Sequence, residues 1–137
     1  MSAAAQLRAA VQDRDLDAVT ALFAPDIQFF SPVKFRPFEG VAAVTALFRV
    51  LLRTFEDFRY VGEFAGSLDE GDPESHVLVF RTRVGQTQIH GIDMVQVNSD
   101  GLISTFTVMV RPQSAATALS EAVLAGLVAD GVVPAQA

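Results

Sequence analysis

Hydrophobic residues recur every three or four positions in four parts of the chain, and this spacing predicts four helices. The longest apolar stripe covers residues 41–58, and shorter stripes cover residues 3–13 and 16–23. A last helix is predicted over residues 114–128. The tail that follows, at 129–137, is expected to fray, because chain ends without packed partners are poorly ordered.

Elsewhere apolar and polar residues alternate, which is the pattern of half-buried strands. The last three predicted strands follow one another through tight turns at Gly85-Gln86 and Asp100-Gly101, where glycine readily adopts a positive φ. The stretch at 32–40, with two prolines, is predicted to be a loop. The predicted strands cover residues 27–31, 59–68, 76–84, 87–97 and 102–111.

The resulting order of elements, ααβαββββα, predicts an α+β fold. We expect a cone-shaped, strongly curved antiparallel sheet with the helices packed on its concave face. A cone closed by helices leaves a cavity between the two layers. A length of 137 residues suits one domain over residues 1–137, with a core large enough to surround such a cavity.

Composition narrows the class of protein. Half of the residues are hydrophobic and the mean hydropathy is +0.34, which argues against a disordered chain. The net charge of −6 disfavours nucleic acid or an anionic membrane as a partner. The lack of cysteine excludes disulfides and thiolate chemistry. No membrane span or signal peptide is recognisable, so a cytoplasmic location is expected, and nothing in the sequence calls for a cofactor.

One acidic residue, Asp93, interrupts the apolar side of a predicted strand. Successive strand side chains point to opposite faces, so Asp93 should face the same way as Ile89, Val95 and Val97. A carboxyl group there must be paired, hydrogen-bonded or kept protonated, and apolar neighbours should raise its pKa. Two interpretations stay open: a structural carboxylate bonded by arginine or backbone, or a catalytic acid or base in a pocket.

The cavity around Asp93 is expected to be apolar. Each candidate lining residue is also explained by plain core packing, but together they would suit an aromatic or alicyclic ligand. Ser31 is either an ordinary residue before a proline or a polar contact at the pocket mouth, and the loop at 32–40 is a candidate lid. The predicted substrate-binding residues are Val11, Phe29, Ser31, Leu47, Leu51, Phe80, Phe106, Val108 and Val110.

The opposite face of the sheet is partly apolar as well, which predicts a homodimer formed through that face. His90 is then an interface residue. No metal site is expected, because the chain has only two histidines and neither lies near a helix rich in glutamate. The residues expected at the dimer interface are His90, Ile92, Met94, Thr105, Thr107 and Met109.

Several short motifs, in their order and spacing, resemble the NTF2-like superfamily. DLDAV at 15–19 precedes LFAPD at 22–26, and FEG at 38–40 opens the long helix. IDMVQV at 92–97 is followed by DGLI at 100–103. The resemblance runs from about residue 7 to residue 112 and is closest to the SnoaL-like and ketosteroid-isomerase-like branch.

In the steroid isomerases of this superfamily, a protonated Asp in the penultimate strand donates a hydrogen bond to the developing enolate oxygen; such isomerases are a known example of a neutral carboxylic acid at work. The resemblance assigns that position to Asp93. The family's general base falls on Ser31, and its tyrosines fall on Leu7, Phe23 and Phe48. The resemblance therefore implies that hydrocarbon replaces the hydroxyl network and that steroid isomerisation by the family mechanism is not expected.

Two classes of function remain. The first is a cofactor-free isomerase, cyclase or dehydratase acting on a polyketide-, steroid- or terpenoid-like molecule, with Asp93 transferring a proton. The polyketide-cyclase branch implies such a use of a pocket Asp, although its pocket histidine has no counterpart on the Asp93 side. The second class is a non-catalytic binding or assembly module of the same fold.

Overall fold

A computed structural model of the protein describes residues 1–134. Four helices form. Asp15 caps the second helix by accepting a hydrogen bond from the Ala18 amide at 3.1 Å, as its position before the apolar stripe suggests. The third helix presents a wide apolar face to the core. The helices are α1 (Ala3–Gln12), α2 (Leu16–Thr20), α3 (Val41–Thr54) and α4 (Gln113–Ala129).

Six strands form one curved sheet, so the predicted α+β fold is confirmed. The sheet order is β2-β1-β6-β5-β4-β3, with β1 and β6 parallel and all other neighbours antiparallel. The helices α1, α3 and α4 contact the sheet. The strands are β1 (Phe23–Phe30), β2 (Phe38–Glu39), β3 (Glu56–Gly66), β4 (Glu74–Val84), β5 (Thr87–Val97) and β6 (Ile103–Arg111).

The first strand begins earlier than predicted. The prediction extended α2 to Phe23 and treated Pro25 as a break, but α2 ends at Thr20 and β1 begins at Phe23. The β1–β6 register shifts between Phe23 and Gln28, so Pro25 lies in an irregular stretch, where a residue without an amide proton is tolerated. The predicted loop at 32–40 also contains the short strand β2.

The long helix ends earlier than predicted. Phe55 and Phe58 continue the helical spacing of α3, but Phe55 is already extended and β3 begins at Glu56. Both rings instead pack on Phe80 of β4, with centroid distances of 6.1 and 5.0 Å. Phe55 and Phe58 are thus three residues apart although they lie at the start of a strand. Hydrophobic periodicity alone does not distinguish this arrangement from a helix.

Aromatic rings fill the space between α3 and the sheet. Phe48 of α3 contacts Phe23 and Phe29 of β1 and Phe106 of β6, at centroid distances between 5.2 and 5.5 Å, mostly edge to face. On β5, Gly91 leaves room for the ring of Phe80, because a Cβ atom at this position would collide with that ring.

The end of α4 is hydrogen-bonded to α3 at the start of the tail that is predicted to fray. Arg53 donates two hydrogen bonds of 2.9 Å to the Asp130 carboxylate, and one of 3.2 Å to the Gly126 carbonyl. Gly126 allows a close approach, since a Cβ atom there would collide with Val50. The remainder of the tail expected to fray, residues 135–137, lies outside the described residues.

The two faces of the sheet differ in what covers them. Alternate residues of β5, from Ile89 to Val97, are buried on the inner side, whereas His90, Ile92 and Met94 are half-exposed on the other. No helix within residues 1–134 is both long enough and apolar enough to span a bilayer.

Candidate active site

An apolar cavity of about 340 Å³ lies between the inner face of the sheet and the helices α1, α3 and α4. This volume is at the lower end of the range for small-molecule sites. Asp93 borders it, as do seven of the nine predicted substrate-binding residues: Val11, Phe29, Ser31, Leu47, Leu51, Phe106 and Val108.

The other two predicted lining residues, Phe80 and Val110, do not border the cavity. Phe80 is fully buried behind it, where its ring covers Gly91 and stacks on Phe58. Val110 pairs with Gly91 and packs against the core away from the cavity.

One wall of the cavity was not predicted, because it comes from α4. Leu119, Val123 and Leu127 of this helix follow one stripe at intervals of four residues, and Ser120 adds a hydroxyl. The stripe was visible in the sequence as helical spacing. Its place over the cavity depends on the direction in which the chain leaves β6, which periodicity does not determine. Other unpredicted lining residues are Pro32, Val33, Lys34, Phe38, Phe48, Leu52, Phe55, Phe58, Tyr60, Leu124 and Val133.

Asp93 occupies the middle of β5, paired with Leu78 of β4 and Val108 of β6. Its side chain faces the apolar side as predicted, and the residue is only 6% exposed. The Tyr60 hydroxyl donates a hydrogen bond of 2.7 Å to Asp93 Oδ2. Among residues 1–134, Tyr60 is the only side chain that bonds to this carboxyl group. No arginine and no backbone amide within residues 1–134 bonds to this carboxyl group, so Tyr60 is its partner in the structural interpretation as well as in the catalytic one.

Burial raises the pKa of Asp93 from its ordinary value of 3.8 to about 7, while the hydrogen bond from Tyr60 acts in the opposite direction. Burial also raises the pKa of Tyr60 well above 10, and the neighbouring Asp93 raises it further. Near neutral pH, Tyr60 is thus a neutral donor, while Asp93 is present in both its protonated and its ionised form.

Tyr60 was missed by the sequence analysis, and the expectation that hydrocarbon replaces the whole hydroxyl network is wrong. The Leu7, Phe23 and Phe48 positions are indeed hydrocarbon, but a hydroxyl reaches Asp93 from β3. The Tyr60 backbone is held by α1: its amide donates to Gln12 Oε1 at 3.2 Å, and its carbonyl accepts from Arg8 Nη2 at 3.2 Å. One signal was available, because Tyr60 is the only tyrosine in a chain with 11 phenylalanines.

Ser31 follows the last residue of β1 and borders the cavity. Its Oγ accepts hydrogen bonds from the amides of Val33, at 3.4 Å, and Lys34, at 3.3 Å. These bonds form a Ser turn that organises the start of the loop before β2. Ser31 therefore has a structural role in addition to any contact with a ligand.

None of the described residues form a cluster of three His, Asp or Glu side chains suited to hold an ion. What the site does contain is a carboxyl group that exchanges protons near neutral pH, a neutral hydroxyl beside it, and hydrocarbon walls. Such a set can position an apolar molecule and move a proton to or from it.

Replacing Tyr60 by Phe tests whether the Tyr60 hydroxyl lowers the pKa of Asp93. The hydrogen bond from Tyr60 stabilises the ionised form of Asp93, so its removal should raise the pKa of Asp93 above about 7. The measurement is a titration of the Asp93 carboxyl carbon by carbon-detected NMR in both proteins. An unchanged or lower pKa in Tyr60→Phe would show that the hydroxyl does not interact with the carboxylate in solution.

The fold and the cavity define a class: an α+β domain in which a curved sheet and its helices enclose an apolar pocket. A family model described as SnoaL-like domain matches residues 4–106, and the chain belongs to this family. Its fold is the NTF2-like fold, as the resemblance implied. Comparison with curated protein sequences gives no match.

Solved structures agree with this assignment. A structure titled steroid delta-isomerase, from Pseudomonas aeruginosa, is 36% identical, with 96% of this chain and 95% of that chain covered and a TM-score of 0.83. An uncharacterized protein with a cystatin-like fold from Silicibacter pomeroyi is 28% identical, with coverages of 95% and 88% and a TM-score of 0.83. A Mycobacterium tuberculosis protein in complex with estradiol-17β-hemisuccinate shares the fold at 21% identity, with coverages of 82% and 93% and a TM-score of 0.63.

Proposed function

We propose that the protein binds a small hydrophobic molecule of the steroid, polyketide or terpenoid type and transfers a proton on it without a cofactor. Isomerisation, ring closure and dehydration are the reactions of this kind. The observation that carries the proposal is the Asp93–Tyr60 pair, at 2.7 Å, in a largely apolar cavity. The similarity to the steroid delta-isomerase structure from Pseudomonas aeruginosa, at 36% identity, also supports proton-transfer chemistry.

Asp93 is the proposed catalytic residue. A general acid or base works best when its pKa lies near the working pH, and Asp93 has a pKa of about 7. In its ionised form it accepts a proton from a carbon beside a carbonyl group, and in its protonated form it returns the proton to another carbon. Tyr60 stabilises the ionised form by its hydrogen bond. Asp93 itself thus acts as the general base, a role that the neutral Ser31 at the family's base position does not fill.

Non-catalytic binding is the second candidate, and the composition of the cavity wall favours it. Besides Asp93, the wall has no other carboxylate and no histidine among the described residues, so a mechanism with a second acid or base of these two types has no residue to carry it there. The fold also occurs in proteins titled as binders, among them a computationally designed 17-OHP binder. In this alternative, Asp93 and Tyr60 hydrogen-bond to an oxygen of the ligand without turnover.

A two-part assay on the unmodified protein tests both candidates. Steroid, polyketide-like and terpenoid probes are first screened for stabilisation against thermal unfolding, since a ligand that binds only the folded state raises Tm. Probes that stabilise are then followed by ultraviolet absorption, where a double bond moving into conjugation gives a new band. Stabilisation with turnover supports the enzyme, stabilisation alone supports the binder, and neither effect with any probe class rejects both.

The proposed homodimer interface is the outer face of the sheet, which carries His90, Ile92 and Met94 and is opposite to the face that borders the cavity. Within the described residues no helix covers it, and Met109 is more than half exposed. Replacing Met94 by Glu should yield monomers, because a carboxylate at the centre of a buried apolar contact loses its hydration. The measurement is size-exclusion chromatography with light scattering. A mass equal to that of the unmodified protein would reject this interface.

A further inference from the structure

The mouth of the cavity contains one positive charge. Among the described residues that border the cavity, Lys34 is the only basic one, and Asp93 is the only acidic one. The two differ in setting, because Asp93 is buried whereas Lys34 is exposed to solvent. The cavity therefore has a hydrogen-bonding group deep inside, an apolar middle and a cation at its rim.

The position of Lys34 is fixed by two local contacts. Its amide donates to Ser31 Oγ, as part of the Ser turn that follows β1. Its Nζ atom lies 4.2 Å from the centroid of the Phe38 ring, a cation–π distance, and Phe38 itself borders the cavity. The ammonium group is thus held against the cavity wall.

The Lys34 charge has no acidic partner in the part of the chain that the structure describes. The ion pairs in residues 1–134 involve Arg53, His76 and Arg83, and none of them includes Lys34. An unpaired ammonium group beside an apolar opening is available to an anion carried by a ligand.

We propose that the ligand is amphipathic, with an apolar ring body in the cavity and an anionic group, such as a carboxylate, sulfate or phosphate, held at the mouth by Lys34. A carbonyl or hydroxyl oxygen at the other end of the ligand lies at Asp93 and Tyr60. This inference rests on the proposed binding of a hydrophobic molecule and adds which members of that class are preferred.

The net charge of the protein and the local charge of Lys34 have opposite effects on the affinity for an anionic ligand, and this difference makes the inference testable. The net charge of −6 disfavours anions overall, so without a local cation an anionic conjugate should bind more weakly than its neutral parent. With Lys34 as its partner, the conjugate should bind about three- to tenfold more tightly than the parent, an effect that falls with added salt.

The matched probes are dehydroepiandrosterone and its 3-sulfate, which share a ring body and a ketone and differ in charge at one end. Affinities are measured by isothermal titration calorimetry for the unmodified protein, Lys34→Gln and Arg36→Gln. Arg36 is the matched control, because it is an exposed cation in the same loop that does not border the cavity. We expect Lys34→Gln to remove the preference for the sulfate over its neutral parent, and Arg36→Gln to leave that preference in place.

The outcomes separate this inference from the function on which it rests. If both probes bind but the sulfate has no advantage, or if both variants weaken it equally, the anion site at Lys34 is rejected and the hydrophobic pocket stands. If neither probe binds the unmodified protein, steroid binding is rejected together with this inference. Loss of the sulfate preference in Lys34→Gln alone supports it.

Discussion

Replacing Asp93 by Asn should lower turnover by about 10²- to 10⁴-fold, the usual contribution of a general acid or base. The amide has nearly the same shape, and its oxygen can still accept the hydrogen bond from Tyr60, so the cavity should keep its form. The amide, however, cannot take up or release a proton near neutral pH. Because only the proton transfer is removed, kcat should fall while ligand binding stays within a few-fold of that of the unmodified protein.

The control for this substitution is Asp100→Asn, which removes an acid from the exposed turn between β5 and β6, away from the cavity. It should leave both kcat and binding unchanged. Turnover is followed on the probe that gives a conjugated product, and binding is followed by thermal stabilisation of each variant. Equal turnover in Asp93→Asn and the unmodified protein would remove Asp93 from the mechanism, whatever its pKa.

The position of Asp93 could be predicted from the sequence because it depends on local geometry alone. Strand side chains alternate, so the apolar neighbours at 89, 95 and 97 determine which way residue 93 points. The same alternation correctly placed Phe106 and Val108 beside it, although the register between β5 and β6 shifts between Gln96 and Val97.

Tyr60 could not be placed in the same way, because β3 and β5 are separated by β4 in the sheet. The register between β3 and β4 also shifts between Tyr60 and Gly62. A bulge of this kind changes which residues face the cavity, and its position cannot be derived from alternation. The partner of the key carboxyl group was therefore beyond what hydrophobic patterning could determine.

A similar limit applies to the cavity wall formed by α4. Its sequence is apolar on most sides, with Glu121 as its only charged residue, so no polar stripe marks the face toward solvent. Its orientation depends on tertiary contacts, among them the bonds from Arg53 to Asp130 and the close approach at Gly126. These contacts join residues more than 70 positions apart, which a local pattern does not reveal.

Asp93→Asn should also make folding stability less dependent on pH, and this prediction is independent of any ligand. The unfolded chain ionises Asp93 near pH 3.8, but the folded protein does so near pH 7. Below 3.8 both states are protonated. Between the two values only the folded state holds the proton, so stability falls as pH rises, and above 7 the loss levels off. At about 1.4 kcal/mol per pKa unit, the full loss is roughly 4 kcal/mol.

Urea unfolding of the two proteins at pH 5 and pH 9 measures this effect. An asparagine at position 93 does not titrate, so the free energy of unfolding of the variant, relative to the unmodified protein, should rise by roughly 2–3 kcal/mol between these pH values. Other titrating groups cancel in this difference because both proteins contain them. A constant difference would mean that Asp93 is already ionised in the folded protein at pH 5, in which case the apolar cavity does not hold a proton for transfer.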